Sequence, residues 1–107
     1  KLFETSHGLE LDAINSYGST SLHVASYSGH LNAVQYLLEA SADIKASNND
    51  HDNALHLAAR GGHLEIVKFL VTQAHLDLED PGHHGCTSLL IACQWGHVDI
   101  VKYLLLE

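Results

Sequence analysis

Residues 51–71 read HDNALHLAARGGHLEIVKFLV. Leu55, Ala58 and Ala59 recur at helical spacing, and after Gly62-His63 a second apolar stripe follows in Ile66, Val67, Leu70 and Val71. Gly61-Gly62 separates the two patterns, where glycine ends the first helix by permitting positive φ. Asn53 stands just ahead of the first helix, in the place of an N-cap whose side chain accepts a hydrogen bond from a free amide. Two helices this short cannot bury an apolar face alone, so the stretch predicts a unit that needs neighbours.

The neighbours are in the same chain. Residues 18–38 read GSTSLHVASYSGHLNAVQYLL and residues 85–105 read GCTSLLIACQWGHVDIVKYLL, giving steps of 33 and 34 residues. Leu22, Leu55 and Leu89 correspond, as do Ala25, Ala58 and Ala92, the pairs Gly29-His30, Gly62-His63 and Gly96-His97, and Val34, Val67 and Val101. Thr20 and Thr87 take the capping place held by Asn53. The alanines let adjacent helices approach closely, and a leucine at one of them would overpack at a cost of about 1–3 kcal/mol. Polar stretches from Lys45 to Asn53 and from Glu79 to Cys86 have the composition of turns or hairpins.

These residues resemble the ankyrin repeat, whose pattern is T-P-L-H-x-A, then G-H, then a paired Leu-Leu. Thr20-Ser21-Leu22-His23-Val24-Ala25 matches with Ser for Pro. Asn53-Ala54-Leu55-His56-Leu57-Ala58 keeps the core of the motif, and Thr87-Ser88-Leu89-Leu90-Ile91-Ala92 also loses the His. Ala42-Asp43-Ile44 is similar to the family's turn after the second helix, and Leu76-Asp77-Leu78 is its counterpart after one extra residue near His75. The resemblance implies an all-α solenoid of stacked helix–turn–helix units joined by β-hairpin-like turns. Residues 1–14 are then the tail of a preceding repeat, with Leu2-Phe3 in the paired-Leu slot and Gly8-Leu9-Glu10-Leu11 in the turn. Residues 15–47 and 48–81 are full repeats, and 82–107 a truncated one. Both ends read as cut from a longer array. Leu104 and Leu105 would face absent neighbours, and the uncapped ends would favour self-association.

In the family, the T-P-L-H imidazole bridges backbone groups of neighbouring turns, which assigns His23 and His56 a structural role. His30, His63 and His97, opening the second helices, read the same way. His83-His84-Gly85-Cys86 has soft-ligand character but lacks paired zinc-ligand spacing, so no metal is expected. Cys93 aligns with Ala59 and Ser26 and is expected to be a small buried packing residue. Asp43 and Asp77 fall in separate turns, while Asp99 sits at a helix start where its charge suits the dipole. Neither a phosphate loop nor a nucleophile motif is present, so the reading is a non-enzyme with no cofactor.

Over 107 residues the chain carries 5 Lys+Arg against 13 Asp+Glu, a formal charge of −8, with 10 His that would carry it to +2 if all were protonated. That balance argues against nucleic acid, and no apolar run reaches the ~20 residues that span a bilayer. Two cysteines suit a reducing compartment, so the expected location is the cytoplasm. Carried over from the family, turn tips and the exposed face of the first helices form a concave binding surface. Its contact residues here are Tyr17, Tyr27, Asp50, Asp52, Arg60, His83, His84, Gln94 and Trp95. Tyr, Trp and Arg are the side chains that anchor interfaces. Asp50 and Asp52 would place negative charge at the centre and select a protein or extended peptide with basic residues. The alternative reading is a spacing or regulatory segment of a larger channel, adaptor or enzyme, with no ligand of its own.

Overall fold

A computed structural model describes residues 10–106; Leu2-Phe3, Gly8 and Leu9 lie outside them. Among the described residues there are six α-helices and no strand. They are α1 (Ser21–Ser28), α2 (Leu31–Glu39), α3 (Ala54–Gly61), α4 (Leu64–Thr72), α5 (Ser88–Gln94) and α6 (Val98–Leu106). They pair as α1/α2, α3/α4 and α5/α6. Packing of α1 on α3 and α3 on α5 makes one layer, and α2 on α4 and α4 on α6 the second. The described residues extend 42 × 26 × 20 Å.

The first helices start where their sequence provides reciprocal caps. Thr20 Oγ1 accepts the His23 N–H at 3.3 Å while His23 Nδ1 accepts the Thr20 N–H at 3.0 Å. Asn53 and His56 repeat the exchange at 3.0 Å each way. With Nδ1 an acceptor, Nε2 carries the proton, and the rings donate to Ala46 O at 2.9 Å and Asp80 O at 2.7 Å. One imidazole therefore caps a helix and ties it to a turn 23 or 24 residues further on. In α5 the Thr87 hydroxyl accepts from the Leu90 N–H at 3.4 Å, but Leu90 has no ring to return the bond.

Gly29 and Gly62 close α1 and α3 at φ 88° and 80°, in the left-handed region. They have a second duty. His63 Nε2 donates to Tyr27 O at 2.8 Å, and His97 Nε2 to Arg60 O at 2.9 Å. Each ring crosses to the preceding unit and lies where a Cβ on Gly29 or Gly62 would be, 2.5 or 2.6 Å from the ring carbon Cε1. The histidines at the starts of α4 and α6 are thus junction residues. His30, at the start of α2, is exposed.

The core runs continuously through the junctions. Leu22, Leu55, Ile66, Leu70, Ile91 and Ile100 are all buried, with Ala25, Ala58, Ala59 and Ala92 buried in the same core. Each large side chain removed from water contributes about 1.5–3 kcal/mol. The expected hairpins are turns closed without strands. Asn15, Asn48 and Gly82 donate N–H bonds to the carbonyls of Ser19, Asp52 and Cys86 at 3.1, 2.9 and 2.8 Å. Leu104 packs partly against the core, whereas Leu105 is 66% exposed.

Candidate functional site

The turn tips are built by asparagines. Asn48 Oδ1 accepts from the N–H groups of Asp50 (2.9 Å) and Asp52 (3.0 Å). Asn15 Oδ1 does the same for Tyr17 (2.9 Å) and Ser19 (3.0 Å). This Asx turn pushes Tyr17 and Asp50 outward. The two tips are also tied together, the Asn49 N–H donating to Tyr17 O at 3.0 Å and Asn49 Nδ2 to Ser16 O at 3.2 Å. Asn15 and Asn48 escaped the sequence reading, although they stand one repeat apart.

The third tip is organised by Asp52. Its carboxylate is fully buried, so it is not a contact residue of the surface, contrary to the expectation from its position. Oδ1 accepts the His83 N–H at 2.9 Å. Oδ2 lies 2.8 Å from Arg60 Nη1, an ion pair whose angle falls outside hydrogen-bond geometry. A Cβ on Gly82 would strike Asp52 Oδ1, which accounts for glycine where the other tips carry Asn. A buried carboxylate needs such partners, because leaving it unpaired would cost several kcal/mol. Asp52 therefore joins the tip of the middle unit, the end of α3 and the turn of the last unit.

The remaining expected contact residues line two adjoining clefts. One, of about 430 Å³, holds Tyr17, Tyr27, Asp50 and Arg60 beside the buried Leu57. The other, of about 360 Å³, holds Asp50, Arg60, His83, His84, Gln94 and Trp95 beside the buried Ile91. Asp50 and Arg60 belong to both. Tyr17, Tyr27 and Trp95 are 73%, 52% and 55% exposed, so the aromatics are free to meet another molecule. Arg60 is held by Asp52, while Asp50 keeps an exposed carboxylate with His83 Nδ1 at 3.8 Å.

Cys86 lines the second cleft at intermediate exposure, and both cysteines are free thiols. Cys93 is exposed rather than buried, because α5 is the outermost helix of its layer among the described residues and nothing packs on the face that Ala59 and Ser26 bury. Among the described residues, no three His, Cys, Asp or Glu side chains gather as metal ligands. Nor is any helix there long and apolar enough to cross a membrane.

The stacked helix pairs, glycine-ended first helices and bridging imidazoles agree with the family comparison: the sequence matches the ankyrin repeats (3 copies) over residues 2–48 and 41–107. The chain belongs to the ankyrin-repeat family. Among curated proteins, none matches it. Ankyrin repeats are generally protein–protein interaction modules and typically non-catalytic. In this ankyrin array the first-helix layer and the turn tips carry the two clefts, while the histidines and glycines of the junctions are occupied in holding the stack.

Proposed function

We propose that this chain is a non-catalytic binding module that holds a protein or extended peptide across the concave face of its first helices. The observation that carries the reading is the convergence of Tyr17, Tyr27, Asp50, Arg60, His83, His84, Gln94 and Trp95 on two adjoining clefts with exposed aromatics. Binding follows from rigid display. Junction bonds from His63 and His97 and the buried Asp52–Arg60 pair hold the face before a partner arrives, so little ordering entropy opposes association. The exposed Asp50 favours a basic partner, Asp52 being already neutralised by Arg60. Free thiols at Cys86 and Cys93 suit a cytoplasmic location. Exposed Val98, Leu105 and Leu106 at the far end support self-association, which sedimentation at rising concentration tests.

The test of the binding face is affinity capture with the wild type and a Tyr27→Ala/Trp95→Ala double variant. Both side chains are exposed, so the variant should keep the wild-type unfolding midpoint while losing its partners. Equal recovery by the two proteins would defeat the reading.

A further inference from the structure

We infer that the concave face selects an extended peptide carrying two apolar side chains about six residues apart, with a basic residue at an even step between them, so that all three side chains leave the same side of the strand. This rests on the binding reading above and adds the order and spacing of the partner's groups.

The spacing comes from the helix row. Tyr27 lies near the C-terminal end of α1 and Trp95 caps the C-terminal end of α5, so both aromatics stand at the same edge of the layer. Between them lies α3, which packs on both helices. Packed helices lie about 8–10 Å apart, which puts the two aromatics on the order of 16–20 Å apart across the row. An extended chain advances about 3.3–3.6 Å per residue and alternates its side chains, so a separation of about six bridges that span with both apolar groups on one side. Each aromatic serves a different cleft, and each cleft has an apolar floor: Leu57 beside Tyr27, Ile91 beside Trp95. At about 430 and 360 Å³ the clefts admit a side chain each.

The sign of the central residue comes from Asp52. It is buried and spent on Arg60, which removes from competition the one Lys or Arg that lines the two clefts among the described residues. Asp50, shared by both clefts, is left as an exposed carboxylate without a Lys or Arg partner among the described residues. A partner cation seated there meets its charge at the boundary of the clefts, flanked by aromatic surface on both sides. Guanidinium suits such a place, since it stacks on rings and pairs with carboxylate together.

The probes are synthetic fluorescein-labelled peptides in a Gly/Ser background, with two leucines separated by between roughly three and eight residues and one arginine at the second position after the first leucine, on the same side of the strand. Fluorescence anisotropy with the 107-residue protein reads their affinities. Tightest binding is expected at a separation of about six, with a loss of about tenfold or more at a separation of three. Replacing the central Arg by Glu should cost a similar factor, and Asp50→Lys should reverse that preference. Affinity that ignores spacing and central charge yet is lost in Tyr27→Ala or Trp95→Ala overturns the pattern and leaves the concave reading standing. Affinity unchanged in Tyr27→Ala, Trp95→Ala and Asp50→Lys alike overturns the concave reading as well. An optimum at another separation, or no binding by any peptide of the series, overturns the pattern.

Discussion

His56 and Leu90 occupy the same slot of successive repeats, and their circumstances differ. His56 is 1% exposed, caps α3 through Nδ1 and reaches Asp80 O through Nε2. Leu90 is 54% exposed, and its cap is a single long bond from its N–H to Thr87. The same contrast runs through Ala59 and Cys93, buried and exposed, and through Gly62 and Gly96. Gly62 has the His97 ring against it; Gly96 has nothing within 4 Å. The middle unit is held from two sides and the last from one among the described residues. In a stacked array, the energetic weight of a residue is thus set by its neighbours' coverage as much as by its own identity.

Substitutions at buried and exposed positions of the two units sharpen that contrast. The largest effect is expected at Leu55→Ala, a loss of about 2–5 kcal/mol by urea unfolding, because a core side chain 1% exposed is removed. Leu90→Ala in the exposed slot should stay within about 0.5 kcal/mol. Equal losses at the two would break the comparison.

Next come the glycines. Gly62 and Gly96 have φ of 80° and 74°, so alanine at either meets the same left-handed penalty of about 1–2 kcal/mol. Gly62→Ala additionally displaces His97 from Arg60 O, for a total of roughly 2–4 kcal/mol. The difference between the two losses reports the clash with the His97 ring together with its junction bond. A Gly96→Ala variant as unstable as Gly62→Ala would refute the role assigned to the ring.

A smaller gain is expected from Leu90→His. The imidazole can accept the Thr87 N–H and complete the reciprocal cap, but no turn among the described residues takes its second bond, so stabilisation should stay below about 1 kcal/mol. The smallest effect belongs to Cys93→Ala, within about 0.5 kcal/mol, since the thiol is exposed. Thiol labelling in the folded state should accordingly modify Cys93 faster than the half-buried Cys86.

Much of the scaffold was legible because it is local. Thr20, Asn53 and Thr87 cap, and Gly29 and Gly62 terminate, through bonds to residues a few positions away. The aligned alanines Ala25, Ala58 and Ala92 are buried in the core. Cys93 was misread because alignment with Ala59 reports the slot and says nothing of whether a neighbour fills the space beyond it. Asp52 was misread for another reason: its partners Arg60 and His83 lie eight and 31 residues away, and only the meeting of three elements decides that its carboxylate is buried.

Periodicity, caps and glycine placement determined by sequence alone that the chain makes short paired helices stacked in register, because those bonds close within a turn or recur at a constant step. Which charges remain free was settled in three dimensions. Pairing Asp52 with Arg60 while leaving Asp50 exposed depends on how the tip folds back on the end of α3 and on the turn of the next unit, and a carboxylate takes its charge environment from whatever the folded chain brings beside it.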